Sequence, residues 1–132
     1  MTSQQHPNHA KARAYGARFK AEGISHLING ESVPSSSGNT FENITPIDNT
    51  PLCRVARGDA SDIDAAAQAA KAAFPAWRKT SAVERKRLIH AVADLVEEHA
   101  EEIALLETYD TGQTIKFMSK AAERAAGNFR FF

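Results

Sequence analysis

The chain has 132 residues, a length that suits one domain of ordinary size, and 42% of its residues are hydrophobic. Sixteen basic residues balance sixteen acidic ones. This balance argues against nucleic acid or a membrane surface as a partner, because a protein that binds either one needs a net positive charge. No apolar run approaches the length of a membrane span. The single cysteine, Cys53, excludes an internal disulfide and is typical of a reducing compartment, so we expect a cytoplasmic protein.

The first part of the chain, residues 1–25, is largely polar. Tyr15 and Phe19 stand four positions apart and would share a helix face, but Gly16 and Gly23 weaken a helix there. The segment lacks the apolar core of a secretory signal. Because chain ends are usually loose, we interpret it as a polar, mobile extension.

Residues 26–56 carry the signals of short antiparallel hairpins. In HLINGESV, Asn29-Gly30 supplies two residues that tolerate positive φ, as a two-residue hairpin turn requires. FENI (41–44) and LCRVA (52–56) are typical of strands, and the turn-rich TPIDNTP lies between them.

A helical pattern begins after Gly58. Ser61 is suited to cap a first helix, with Asp64 completing a capping box, and Pro75 is predicted to end that helix. One face carries small and apolar side chains at helical spacing, namely Ile63, Ala66, Ala67, Ala70 and Phe74.

Three further helices are predicted. Ser81 and Glu84 form a second cap pair, and EEIALLETYDTG predicts a third helix that stops at Gly112. A fourth runs through AAERAAGNFRFF. Its last four positions hold three aromatic rings, Phe129, Phe131 and Phe132. An exposed cluster of this kind indicates a missing partner surface, supplied by more chain or by another subunit.

We find no self-contained active site in the sequence. The seven glycines match neither G-x-G-x-x-G nor a phosphate loop, and repeated βαβ units are absent. Cys53 lies within a strand-like run, where a small buried side chain is a better interpretation than a nucleophile. We therefore assign no catalytic and no cofactor-binding residue to this chain.

In their order and spacing, the motifs from about His26 to Phe132 resemble the N-terminal part of the aldehyde dehydrogenase superfamily. The matching stretches are HLINGESV, TFENITPIDNTPLCRVARGDASDIDAAAQAAKAAFPAWRKTSAVERKRLI, ADLVEEHAEEIALLETYDTGQT and NFRFF. The resemblance implies an α/β fold in which residues 26–132 form the N-terminal segment of a Rossmann-like cofactor-binding domain. That segment would hold short antiparallel hairpins and about four helices, without the parallel sheet.

The family's enzymes are several times longer and oxidise aldehydes with NAD or NADP. Their catalytic cysteine, their catalytic glutamate and the cofactor's glycine motif lie downstream of this region, so the resemblance implies that this chain is incomplete and inactive alone. It also implies partners: the remainder of the dehydrogenase or another subunit, a small-molecule aldehyde, and assembly into a homo-oligomer when complete.

The resemblance gives a candidate role to Asp110, which matches the acid of the family's E-T-x-D-x-G loop. In several members the backbone carbonyls of this aspartate and of the strand before the N-P or T-P turn hold a monovalent cation. The strand residues here would be Asn43 and Ile44, and oxygen ligands suit a hard cation. A turn-forming role, in which Asp110 bonds nearby backbone amides, is the simpler interpretation. Gln113-Thr114 replaces the family's usual lysine-proline.

NFRFF after an alanine-rich, arginine-bearing helix is most similar to the hydroxymuconic and carboxymethyl-hydroxymuconic semialdehyde dehydrogenases of aromatic degradation. Their substrates carry carboxylates, which Arg124 would bind bidentately if it faces the substrate tunnel. A surface ion pair of Arg124 is the alternative, and betaine-type and other semialdehydes stay open.

A second hypothesis belongs to another class of function. The chain would then be a non-catalytic helical interaction module that binds a full-length partner through its exposed apolar faces. Co-purification with a complete dehydrogenase would favour this alternative.

Overall fold

The computed structural model describes residues 6–131, in which a leading helix and two β-hairpins precede a run of helices. In chain order the elements are α1 (Pro7–Glu22), β1 (His26–Ile28), β2 (Glu31–Val33), β3 (Thr40–Ile44), β4 (Pro51–Ala56), α2 (Ala60–Lys79), α3 (Ala82–Glu98), α4 (Ala100–Thr111), α5 (Ile115–Met118) and α6 (Ala121–Phe131). Within the described range, the helices are too short or too polar to cross a bilayer.

The two predicted hairpins are confirmed. β1 pairs with β2 and β3 pairs with β4, both antiparallel. Asn29 and Gly30 connect the first pair with φ angles of 55° and 80°. Positive φ at both central residues matches the right-handed twist of the strands, which is why Asn-Gly predicts this turn.

Residues 7–22 of the polar leader form a helix, although Gly16 and Gly23 are expected to weaken a helix there; residues 1–5 lie outside the described part of the chain. The mobility of this segment stays a prediction. Gly16 does not interrupt α1, because this position packs toward α4. A Cβ on Gly16 would lie 3.8 Å from Cδ2 of Leu106. The helix ends at Gly23, where φ is 74° and ψ is −175°.

Two glycine substitutions in this region should have opposite effects. Gly23→Ala should destabilise the chain by about 2–3 kcal/mol, because its backbone angles belong to glycine and the new Cβ would lie 3.0 Å from the Arg54 carbonyl oxygen. Gly16→Ala is the matched control. Gly16 has ordinary helical geometry and the new Cβ would lie 3.8 Å from Cδ2 of Leu106, so the higher helix propensity of alanine should stabilise the chain by about 0.5–1 kcal/mol. Urea unfolding followed by circular dichroism measures both, and equal effects would contradict this account.

The N-terminus of α2 is capped two residues earlier than predicted. Asp59, and not Ser61, is the N-cap: its carboxylate accepts hydrogen bonds from the Ser61 and Asp62 N–H groups at 2.8 and 3.3 Å. Asp62 completes the capping box by accepting from the Asp59 N–H at 3.0 Å. A carboxylate accepts several hydrogen bonds at once, whereas Ser61 donates its own hydroxyl to Asp59.

Asp62 also ties α2 to the loop after β2. Its side chain is buried and accepts from the Ser36 N–H at 2.9 Å and the Ser35 hydroxyl at 3.2 Å. These hydrogen bonds, chiefly those from the backbone N–H groups of Ser36 and Asp59, lower the pKa of Asp62. They fix the orientation of α2 relative to the hairpins.

Pro75 does not end α2, contrary to the prediction. The helix continues to Lys79, and the Thr80 N–H then donates to the Trp77 carbonyl at 3.0 Å. Proline removes one backbone hydrogen bond, but its fixed φ is helical, so a long helix continues past it.

The remaining helices follow their predicted signals. Ser81 caps α3 by accepting from the Glu84 N–H at 3.2 Å, and α4 ends at Gly112. The four-residue α5 was not predicted. The α3–α6 interface buries small side chains, namely Ala93, Ala122 and Ala126.

Much of the apolar surface is left uncovered by the described residues. On the predicted apolar face of α2, Ile63 is 69% exposed and Phe74 is 56% exposed. Phe129 and Phe131 are also exposed on α6, while Phe132 lies outside the described residues. Exposed clusters of large apolar side chains typically contact further protein.

Candidate functional site

The loop that follows α4 lies against the turn of the β3–β4 hairpin. Gly112 has a left-handed conformation with φ 74° and ψ 5°, and its N–H donates to the Thr108 carbonyl at 3.0 Å. A Cβ on Gly112 would lie 3.0 Å from Cγ of Pro46. Glycine is therefore needed at this position for its backbone angles and for the close approach of the turn.

Asp110 bridges this loop to β3 through its side chain. Nδ2 of Asn43 donates to Oδ1 of Asp110 at 2.6 Å. In the loop itself, the Gln113 N–H donates to the Thr111 hydroxyl at 3.3 Å instead of to Asp110. Asn43 and Asp110, two of the residues predicted to share a cation site, are thus adjacent, and the turn-forming interpretation of Asp110 does not describe the observed hydrogen bond.

Ile44, the third predicted residue of the site, lies at an irregularity of the hairpin. Asn43 pairs with Cys53 but Ile44 pairs with Pro51, and the register shifts between Asn43 and Ile44. Proline has no N–H, so Pro51 contributes no donor to the ladder opposite Ile44. A β-bulge of this kind leaves backbone groups outside the regular ladder.

Cys53 is a poor nucleophile in this position. It is buried within β4, which confirms the interpretation as a small buried side chain. Burial raises the pKa of the thiol, and the negative charge of Asp110 raises it further. Catalytic cysteines require the opposite shift, because the thiolate is the reactive form. Across residues 6–131, no group of three or more His, Cys, Asp or Glu side chains is arranged to hold a metal ion.

The β4–α2 junction does not fit a dinucleotide. Within the described chain it is the place where a strand leads into a helix, through Arg57 and Gly58. A phosphate would need the free N–H groups at the start of the helix. The carboxylates of Asp59 and Asp62 already accept from N–H groups there, and their negative charge opposes an anion.

Arg124, the predicted substrate-binding residue, projects from an exposed position of α6. Its backbone N–H donates to the Lys120 carbonyl at 3.2 Å. No acidic group in the described part of the chain pairs with its guanidinium, so the predicted alternative of a surface ion pair is not formed there.

Arg130, which the sequence reasoning did not single out, forms the ion pairs of this helix. It donates to Glu97 of α3 at 2.6 and 2.8 Å and to Asp94 at 2.7 Å. These contacts raise the pKa of Arg130 above its usual range. These ion pairs act together with the buried Ala122 and Ala126 of α6 to hold the helix that carries Arg124.

Comparison with known proteins identifies close sequence relatives. A model of the aldehyde dehydrogenase family matches residues 32–132. The chain is 45% identical over 92 residues to the NADP/NAD-dependent aldehyde dehydrogenase PuuC of Escherichia coli K12, covering 68% of this chain and 19% of that protein. It is 39% identical over 134 residues to the EPTC-inducible aldehyde dehydrogenase of Rhodococcus erythropolis, covering 100% of this chain and 26% of that protein.

Solved structures show the same relationship. HpcC from Thermus thermophilus superposes with a TM-score of 0.88 at 41% identity, over 92% of this chain and 24% of that one. The NAD+ complex of Bacillus cereus aldehyde dehydrogenase superposes with a TM-score of 0.83 at 37% identity, over 87% and 24% of the two chains. The chain thus spans about a fifth to a quarter of the length of these relatives. Its hairpins and helices are consistent with the N-terminal part of their fold, and the chain belongs to the aldehyde dehydrogenase family.

Proposed function

We propose that this chain is the N-terminal portion of an NAD(P)-dependent aldehyde dehydrogenase that oxidises an aldehyde to the carboxylic acid when complete. The observation that carries the proposal is the family match over residues 32–132 in a chain that covers about a quarter of its relatives. The name of PuuC and the NAD+ complex from Bacillus cereus support a nicotinamide cofactor. The uncovered faces of α2 and α6 support a role in packing against the remainder of the enzyme.

The reading frame beyond the codon for Phe132 tests this proposal. We expect it to continue into strands, helices and a glycine-rich motif, and the complete protein to reduce NAD or NADP when an aldehyde is added. We also propose that the complete enzyme is cytoplasmic and forms a homo-oligomer. Light scattering measures the mass of that assembly. If the chain instead co-purifies with a separate full-length dehydrogenase, the interaction module is the better description.

The substrate class of the complete enzyme is proposed to be a carboxylate-bearing semialdehyde, of the hydroxymuconic type. Arg124 supports this choice, because its guanidinium is exposed and pairs with no acid among residues 6–131. A guanidinium in that state is available to a substrate carboxylate. The buried Ala122 and Ala126 and the ion pairs of Arg130 pack α6 against the rest of the described chain, so Arg124 is carried on a packed helix.

A monovalent cation is proposed between the Asp110 loop and the β3–β4 turn, bound by the backbone carbonyls of Asn43, Ile44 and Asp110. The register shift at Ile44 and the missing N–H of Pro51 support this site, since Pro51 cannot donate a ladder hydrogen bond to the strand opposite it. Backbone oxygens suit a hard cation.

Potassium or sodium should therefore stabilise the chain more than choline does at equal ionic strength. At a concentration ten times the dissociation constant, the gain is about 1.4 kcal/mol and appears as a higher unfolding midpoint. Gly112→Ala, which pushes the loop away from Pro46, should abolish the difference between the cations. Gly30→Ala is the matched control, because its φ of 80° gives similar backbone strain with open space around the new Cβ. Equal midpoints in all three salts would contradict the site.

A further inference from the structure

Helices α1 and α4 carry opposite charge. In α1, four basic residues outnumber the single acid, Glu22; they are Lys11, Arg13, Arg18 and Lys20. In α4 there are four acids and no basic residue; the acids are Glu101, Glu102, Glu107 and Asp110. The two helices therefore attract one another as a pair, although the whole chain is neutral.

The contacts between these helices are mainly polar and lie at the surface. Four side-chain contacts span the interface: Lys11–Glu101 at 2.5 Å, Tyr15–Glu101 at 3.0 Å, Arg18–Glu102 at 2.6 Å and His9–Tyr109 at 2.6 Å. The side chains of Lys11, Glu101 and Arg18 are each more than half exposed, whereas the side chain of Glu102 is only 14% exposed. An exposed ion pair such as Lys11–Glu101 is individually weak and is screened by salt.

The apolar contacts of α1 are shallow, because Tyr15 and Phe19 are only half-buried and Gly16 presents no side chain to Leu106. Ala12 is the one α1 residue that is buried in the described structure. At the α3–α6 interface, by contrast, Ala93 and Ala126 are fully buried, so that interface has an apolar centre beneath its ion pairs. We expect the two interfaces to respond differently to salt.

A hinge and an anchor follow α1 directly. The hinge is Gly23, whose φ of 74° and ψ of −175° are accessible to glycine. The anchor is Ile24: its N–H donates to the Arg54 carbonyl at 2.8 Å, and its carbonyl accepts from the Ala56 N–H at 2.8 Å. Rotation at Gly23 would move α1 while these two bonds keep the chain on β4.

We propose that α1 is a hinged arm, held on α4 by charge, which opens about Gly23 as ionic strength rises while the remainder of the chain stays folded. Opening uncovers the acidic face of α4. It also breaks the His9–Tyr109 hydrogen bond beside Asp110, so the arm is coupled to the end of α4.

Hydrogen exchange of the 132-residue chain tests the arm. In low salt, the α1 amides should be protected, and in 1 M NaCl their protection should fall by about tenfold, because the Debye length shortens to about 3 Å. The α6 amides should keep their protection in both salts. Salt-independent exchange in α1, or a parallel loss of protection in α1 and α6, overturns the proposal.

Charge reversal supplies the second measurement. Lys11→Glu should open the arm already in low salt, and Lys11→Glu combined with Glu101→Lys should restore most of the protection. Lys20→Glu is the matched control, because Lys20 lies on the same helix and pairs with no acid in the described residues. Equal loss of α1 protection in Lys11→Glu and Lys20→Glu would show that general helix charge, and not the ion pairs with α4, holds the arm.

Discussion

The purified 132-residue chain should form no NADH or NADPH when an aldehyde and either cofactor are supplied. Its one thiol, Cys53, is buried in β4 with a raised pKa, so little thiolate exists at neutral pH. The β4–α2 junction presents the carboxylates of Asp59 and Asp62 where a dinucleotide phosphate would need free N–H groups. The expected result is a rate equal to the background without enzyme, measured by the absorbance of the reduced nicotinamide.

Cys53→Ser is the control for this result. Trace turnover that is unchanged in Cys53→Ser and is removed by further purification comes from a contaminating dehydrogenase. Steady turnover that survives purification and is lost in Cys53→Ser would contradict the prediction, and would show that the described residues contain a reactive thiol. The complete enzyme, expressed from the extended reading frame, is the positive control because the same assay should then show aldehyde-dependent reduction.

The elements that were predicted correctly depend on signals only a few residues long. Asn29-Gly30 determines a turn through the φ angles of two neighbours, and Ser81 caps α3 by a bond to the N–H three residues later. Gly112 ends α4 because of its own left-handed conformation. Each of these depends on local geometry, which follows from the residue types at those positions.

The elements that were predicted wrongly depend on contacts that the sequence does not show. α1 looks like a weak helix because of Gly16, yet Gly16 is where the helix comes close to Leu106. At the start of α2, Asp59 and Ser61 are both suitable caps. The contact that the sequence does not show is made by Asp62, which completes the capping box with Asp59 and also accepts from the Ser36 N–H, 26 positions earlier in the chain.

The candidate cation site was partly accessible from sequence. The resemblance to a known family indicated that Asp110 and Asn43 belong to one place, and the structure brings them within 2.6 Å. The contact itself, a side-chain hydrogen bond across 67 positions of sequence, has no local signal. The same is true of Arg130, whose partners on α3 precede it by 33 and 36 positions.

Arg124→Gln in the complete enzyme should lower kcat/KM for a carboxylate-bearing semialdehyde by about 10- to 100-fold. The reason is the loss of a charged, bidentate hydrogen bond, which contributes about 1.5–3 kcal/mol. For an aldehyde of similar size without the carboxylate, kcat/KM should be unchanged. Arg124→Lys should recover part of the loss, because it keeps the charge but not the planar pair of donors.

Lys120→Gln is the matched control, since it removes one exposed positive charge close to Arg124 on the same segment of chain. It should leave kcat/KM unchanged for both aldehydes if Arg124 binds the carboxylate directly. An equal loss for both aldehydes in Arg124→Gln would show that Arg124 supports α6 instead of the substrate. Because the buried Ala122 and Ala126 and the ion pairs of Arg130 already hold α6, we expect the loss to be confined to the charged substrate.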